Sequence, residues 1–235
     1  MMELKSVNWS EGEYRKFKEY LCSLGDEEYK KFNQKIIPDT QNIIGIRIPV
    51  LRKIAKEIAK GDYEKYLALE KGDVHEEIII EGLVMTNIKC DYPRLLEYLK
   101  YFADKIYNWA ICDTVSFKQI KNYTAELWGD IPYFVNHQNP WVVRFGLGML
   151  LEFYLSGEYI NDVLSIAESV DSDFYYVQMM QAWLIATAFV KQRDITLEFL
   201  KCTHISDSVF KMTVRKIRDS YKVSKEDKDL VKAIR

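Results

Sequence analysis

The sequence predicts an all-α protein. Apolar residues recur at spacings of three and four rather than two, which is the period of an amphipathic helix. Ten Gly and five Pro are too few, over 235 residues, for the many turns of a sandwich or barrel. The chain is 48% hydrophobic and contains sixteen Tyr, eleven Phe and five Trp, so it can build a large core and is not disordered.

Residues that start and stop helices bound the predicted segments. Gly25 can end a first helix over residues 14–24, and Asp26 is placed to cap the next. Pro49 lies in the first turn of a helix that Gly61 follows. Further helices are predicted over residues 76–88, 92–105, 109–121, 123–128, 141–154, 161–170, 174–191, 195–201, 207–221 and 225–234.

So many helices joined by short loops predict stacked helix pairs rather than a single four-helix bundle. Pairs that recur about every 35 to 45 residues are typical of HEAT or armadillo solenoids. We therefore expect a HEAT-like helical-repeat solenoid, an α-α superhelix, as one domain over residues 1–235. A solenoid of this kind has a concave face that suits a rod-like ligand such as nucleic acid or an extended protein.

Several functional classes lack their sequence signals. The four cysteines and three histidines show no C-x-x-C pair and no zinc spacing, which predicts reduced core cysteines and no metal site. Phosphate-binding glycine loops, a Ser/His/Asp arrangement and a Cys nucleophile with a His partner are absent as motifs. No apolar run reaches the roughly 18 residues of a membrane span, and no targeting segment is evident. A cytoplasmic protein is expected.

Charge is unevenly distributed along the chain. The formal net charge of −2 argues against a surface coated with cations for nucleic acid. From Lys201 to Arg235, however, ten basic residues stand against five acidic ones, a net charge of +5. This segment is either a solvated helix surface or an end of the molecule that contacts phosphates. Its candidate DNA contacts are Lys211, Arg215 and Arg218.

Three aromatic and charged motifs stand out between residues 109 and 183. Trp109 and Asp113 are four residues apart, so they share one face of a helix. Arg144 follows Trp141 by three residues, and Trp183 lies in an otherwise apolar helix. Each signal is weak alone, because a single Trp is most often core and a helical Asp is most often solvated or a cap.

A fourth motif, GIRIPVLRKIAKEIAK at Gly45–Lys60, precedes these three. The four motifs and their order along the chain resemble those of the AlkD-type DNA alkylation repair glycosylases, which are HEAT-like solenoids. The stretch at Gly45 is similar to the family's G-x-R-x-P-x-L-R. The resemblance covers nearly the whole chain. It implies a monomer that excises cationic N-alkylated purines, of the 3-methyladenine and 7-methylguanine types, from double-stranded DNA. Excision proceeds by hydrolysis of the N-glycosidic bond without base flipping, and no metal or organic cofactor is implied.

The resemblance also implies roles for individual residues. Asp113 would be the catalytic carboxylate, Trp109 and Trp183 would flank the deoxyribose and backbone of the lesion, and Arg144 would hold a phosphate. These residue types suit the chemistry, because the transition state places positive charge on the sugar, where a carboxylate stabilises it. Indole faces attract cations, and Arg pairs with phosphate through two hydrogen bonds.

A structural interpretation of the same residues stays open. Asp113 could pair with Lys118 or Arg144 and lock two helices, with both tryptophans in the core between repeats. The two interpretations differ in exposure, because catalysis needs all four side chains on an open wall. Arg47 is a candidate phosphate contact, although a structural role at a turn between repeats is favoured for it and for Arg52, since Arg pairs well with helix C-termini.

The chain departs from the family pattern at two places. Where members often carry W-x-R-R, this chain has Val143 before Arg144. Where members often carry W-x-L-R-E, it has Ala186 and Thr187 in place of the last two residues. Fewer phosphate contacts weaken DNA binding and flatten its salt dependence. The alternative function is therefore a catalytically weak or inactive solenoid that binds DNA structures or a protein partner.

Overall fold

The computed structural model describes residues 3–37, 40 and 42–234. Over these residues the chain has fourteen α-helices, three short 3-10 helices and no strand, which confirms the all-α prediction. The chain divides into two compact units, one up to Gln119 and one from Ile120. A single domain over residues 1–235 stays a prediction, as does the concave face. None of the described helices has the length and apolar character needed to cross a bilayer.

The first unit is built around a layer of alternate helices. Its described helices are α1 (Glu11–Ser23), α2 (Glu27–Ile36), α3 (Ile48–Ile58), α4 (Tyr63–Ala68), α5 (His75–Asn87), α6 (Tyr92–Asp104) and α7 (Trp109–Thr114). Helix α5 packs against α3 on one side and α7 on the other. The Asp26 side chain accepts a hydrogen bond from the backbone N–H of Tyr29 (3.0 Å), which confirms the predicted cap of α2.

The second unit repeats this packing more regularly. Its described helices are α8 (Thr124–Val135), α9 (Pro140–Phe153), α10 (Ile160–Ser169), α11 (Tyr175–Lys191), α12 (Arg193–Cys202), α13 (Asp207–Asp219) and α14 (Lys225–Lys232). Helix α11 packs between α9 and α13, while α10 packs against α12. Two layers of alternate helices are the packing of a helical-repeat solenoid, in which each pair covers the apolar faces of its neighbours.

The predicted helix over residues 109–121 is wrong. Helix α7 ends at Thr114, Val115 is extended (φ −100°, ψ 110°), and a 3-10 helix resumes at Lys118–Asn122. Val115 and Phe117 are both buried, at 3% and 1% exposure, and the ring of Phe117 lies 5.8 Å from that of Phe102. In an extended segment, side chains two residues apart point to the same face, whereas in a helix they do not. Burial of both Val115 and Phe117 in the core therefore interrupts the helix here.

The predicted helix over residues 123–128 is too short. Helix α8 continues through Pro132 to Val135 because Leu127, Ile131 and Phe134 are all fully buried at helical spacing. Packing of that apolar face therefore outweighs the helix-breaking preference of proline.

Two further expectations fail in detail. The six-residue helix α4, which buries Tyr66, is not predicted by the sequence. Cys22 and Cys202 are exposed, so the prediction of core cysteines is wrong for both.

Candidate functional site

The W-x-x-x-D motif lies on the short helix α7 of the first unit. Trp109 is its first residue and is half-buried, and Asp113 follows one turn later and is exposed. The indole Nε1 of Trp109 donates a hydrogen bond to the backbone carbonyl of Ile36 (3.2 Å), at the end of α2. This bond gives the ring a defined orientation, one helical turn before Asp113.

Contacts at both ends hold α7 in place. The side chain of Asn108, which is fully buried, caps the helix by accepting from the backbone N–H of Ile111 (3.0 Å). The other side-chain atom of Asn108, Nδ2, lies 3.4 Å from Nδ1 of His75. At the other end, Arg52 donates to the carbonyl of Thr114 (3.4 Å), as expected of an arginine near a helix C-terminus. Asn108 and His75 were not predicted from the sequence to support this helix, although an Asn directly before a helix is a cap signal.

A buried carboxylate organises the loop that leads into α3. Glu76 is 1% exposed and accepts hydrogen bonds from three successive backbone N–H groups, those of Ile44 (2.9 Å), Gly45 (2.6 Å) and Ile46 (3.2 Å). Gly45 has a φ of +94°, and a Cβ there would lie 2.5 Å from the carbonyl oxygen of Asp26. Both observations explain why a glycine stands at the start of GIRIPVLRK.

Arg47 makes structural contacts within the first unit. Its guanidinium pairs with Asp26 (2.8 Å) and lies 4.8 Å from the ring centroid of Tyr29. The Tyr29 N–H, and after it the Arg47 guanidinium, holds the pKa of the Asp26 carboxyl below its usual value. The side chain nevertheless remains exposed, and a phosphate contact of Arg47 stays a prediction.

Arg144 does not stand on an open wall. It is 3% exposed, so the expectation of an exposed side chain is wrong for this residue. The packing of α9 against α11 encloses it, and its Nη1 donates to the backbone carbonyl of Tyr176 (2.7 Å). The ring of Tyr176 in turn lies 5.1 Å from that of Trp141. A phosphate contact of Arg144 stays a prediction.

Trp183 is exposed on α11, with 43% of its surface accessible, which disagrees with its interpretation as core. Lys216 of α13 places its ammonium 5.5 Å from the centroid of the indole ring. Tyr175 is also exposed, whereas Tyr176 packs against Trp141. Of these two adjacent tyrosines, Tyr175 therefore faces solvent and Tyr176 does not.

The basic C-terminal residues share a groove between α13 and α14. Lys211, Arg215 and Arg218 follow one face of α13 at helical spacing, and all three are exposed. The groove has a volume of about 730 Å³, and its other charged residues are Lys225, Lys228, Lys232, Asp219 and Asp229. Six cations against two carboxylates leave a positive potential along it. Arg235 lies outside the described residues.

Metal ligands do not converge in the part of the chain that the structure describes. No group of three or more His, Cys, Asp or Glu side chains is arranged there to hold an ion.

Together these observations define an all-α repeat protein with an exposed carboxylate one helical turn from an indole in one unit and a basic groove in the other. A model of the family described as DNA alkylation repair enzyme matches residues 17–231. The match spans most of the chain and includes every motif on which the resemblance depends, so this protein belongs to the DNA alkylation repair enzyme family. None of the curated protein sequences compared with the chain matches it.

We expect the stability of the protein to fall as the pH decreases below about 6.5, and His75 to contribute to the fall. Burial lowers the pKa of His75, against a smaller opposing effect of Glu76. The unfolded chain therefore takes up a proton at a pH where folded His75 stays neutral, and this uptake favours unfolding. The loss begins at the unfolded pKa of 6.5 and is complete once the pH is below the folded pKa.

The measurement is the free energy of unfolding in urea between about pH 5 and pH 8. His75→Gln retains a hydrogen-bonding side chain without titrating, so its stability should depend less on pH. His204→Gln alters an exposed histidine and serves as the control. Equal pH dependence in wild type and His75→Gln would contradict the prediction.

Proposed function

We propose that this DNA alkylation repair enzyme is a glycosylase that removes cationic N-alkylated purines from double-stranded DNA. Its substrates would be lesions of the 3-methyladenine and 7-methylguanine types, and the base would not be extruded into a pocket. The observation that carries the proposal is the exposed carboxylate of Asp113, one turn from Trp109 on a helix held at both ends. Such a helix keeps a charged group in a fixed place, as catalysis requires.

In the proposed reaction, the bond between the sugar C1′ and the purine nitrogen breaks, and the electron pair leaves with the base. The positive charge of the alkylated purine is thereby neutralised, so little acid catalysis is needed. Positive charge develops on the sugar, where the Asp113 carboxylate stabilises it. Water adds to C1′, and its proton passes to Asp113 or to solvent.

The half-buried indole of Trp109 and the exposed indole of Trp183 would contact the lesion from the sugar and backbone side. Trp109 is oriented for this by its hydrogen bond to the Ile36 carbonyl, and Trp183 by its position on the long helix α11. Phosphate contacts of Arg47 and Arg144 are part of the proposal. For Arg144, which is 3% exposed, a contact requires the guanidinium to become accessible to the backbone. The chemistry needs no metal or organic cofactor.

The experiment that tests the proposal is the release of free bases from methylated duplex DNA by the wild-type protein. We expect free 7-methylguanine and 3-methyladenine, separated by chromatography, to accumulate with time and with enzyme concentration. Unmethylated duplex provides the blank. No release by protein with a helical circular dichroism spectrum would overturn the glycosylase proposal.

The burial of Arg144 and the absence of an arginine at Ala186 favour a second candidate function. A family member with fewer exposed phosphate contacts could bind DNA structures or a protein partner without turnover. Such a protein would bind DNA or its protein partner without releasing a base, whereas a glycosylase must release one.

Neutralising Lys211, Arg215 and Arg218 together is expected to weaken duplex binding and to reduce its salt dependence. Log affinity falls as log salt rises, and each phosphate contact that is lost makes this slope shallower by about 0.9. Loss of three contacts should therefore make it shallower by about 2.7. The measurement is fluorescence anisotropy with an unmethylated duplex over a KCl series. A control with the same charge change neutralises three exposed cations of the first unit, Arg15, Lys31 and Lys35. Equal slopes for the two triple variants would show that the α13 residues are only a solvated surface.

A further inference from the structure

A pocket beside Trp183 contains cations to which the glycosylase proposal assigns no role. It lies in the second unit, on the side of α11 that faces the C-terminal end of α13, and has a volume of about 370 Å³. Its lining includes Trp183, Ala186, Thr187, Lys216, Ser220 and Lys222. The pocket therefore combines an aromatic wall, two ammonium groups and two hydroxyl groups.

The charges of this pocket favour an anion. The Lys216 ammonium lies 5.5 Å from the centre of the Trp183 ring, close enough for a cation–π contact. Lys222 adds a second positive charge, and Asp219 is the one carboxylate among the lining residues. A cationic base placed against this face of the indole would meet the ammonium of Lys216. A phosphate would instead meet two cations, while a sugar could rest on the ring.

The neighbouring helix supplies the cation that α11 lacks. Ala186 lines the pocket at the position where the family pattern often has an arginine. Helix α13 packs directly against α11, and it brings Lys216 to the same pocket. A positive charge is thus present beside Trp183, although it comes from a different helix.

We propose that Lys216 and Lys222 form a phosphodiester-binding subsite against Trp183, in which Lys216 replaces the arginine that is absent at position 186. The identity of the ligand as a DNA strand rests on the proposed function. The subsite agrees with the proposed contact of Trp183 on the sugar and backbone side of the lesion, and it adds the two lysines to that contact. Lys216 is accordingly a binding residue and takes no part in bond breaking.

The test compares Lys216→Met with Lys191→Met in binding to an unmethylated duplex over a KCl series. Met retains the aliphatic packing of lysine on the indole without its charge. Lys191 is exposed, lies at the end of the same helix as Trp183 and is outside the pocket, so it controls for the general loss of one charge. We expect Lys216→Met to make the slope of log affinity against log salt shallower by about 0.9 and to weaken binding several-fold.

Lys216→Arg keeps the charge and should retain the wild-type slope, which separates a charge effect from a folding defect. Equal slopes for Lys216→Met and Lys191→Met, in variants with wild-type melting temperatures, would overturn the subsite. An RNA duplex that binds with the same dependence on Lys216 would support a phosphodiester site that does not distinguish the sugar.

The outcome for the subsite is independent of the outcome for the glycosylase. If wild type binds duplex through Lys216 but releases no base, the subsite stands and the glycosylase proposal fails. If wild type releases base while Lys216→Met binds like Lys191→Met, the subsite fails and the glycosylase proposal stands.

Discussion

Replacing Asp113 with Asn is expected to slow base release by about 10²- to 10³-fold while leaving duplex affinity almost unchanged. Asn has nearly the same shape as Asp, so the variant removes the negative charge without creating a cavity. The charge matters mainly when positive charge develops on the sugar, and interactions specific to the transition state affect the rate rather than binding. The measurement is the single-turnover rate of 7-methylguanine release at saturating enzyme, with anisotropy for affinity.

Asp104→Asn is the matched control for this experiment. Asp104 is exposed at the end of α6 in the same unit, and the substitution makes the same charge change. It should release base at the wild-type rate. If Asp113→Asn released base at the rate of an active wild type, Asp113 would not be the catalytic carboxylate.

The position of Asp113 could be predicted because the information is local. A spacing of four residues places Trp109 and Asp113 on one helix face, whatever the rest of the chain does. The length of that helix could not be predicted in the same way. It ends where Phe117 packs against Phe102, and this contact depends on how two distant segments come together.

Besides helix length, the exposure of individual side chains could not be predicted from the sequence. W-x-x-R has the same spacing whether its arginine faces solvent or a neighbouring helix, and Arg144 is enclosed by α11, which begins more than thirty residues later. The contact between His75 and Asn108 also joins residues far apart in sequence. Lys216 reaches Trp183 only because α13 packs on α11. Such residues support a site without being part of a continuous motif.

The largest loss of stability is expected from Glu76→Gln, which should lower the free energy of unfolding by about 2–4 kcal/mol. The carboxylate of Glu76 accepts from the N–H groups of Ile44, Gly45 and Ile46 in a buried position. Gln offers one acceptor oxygen in place of two and turns an NH₂ group toward N–H donors. At least one of the three N–H groups then loses its partner, and the hydrogen bonds that remain are no longer charge-assisted.

Urea unfolding followed by circular dichroism measures the loss, and hydrogen exchange locates it. The amides of Ile44, Gly45 and Ile46 should exchange faster in Glu76→Gln, because their acceptor is weakened where the loop enters α3. Glu64→Gln changes an exposed residue of α4 in the same way and should stay within about 0.5 kcal/mol of wild type. If the two variants were equally stable, the carboxylate would not be what holds this loop.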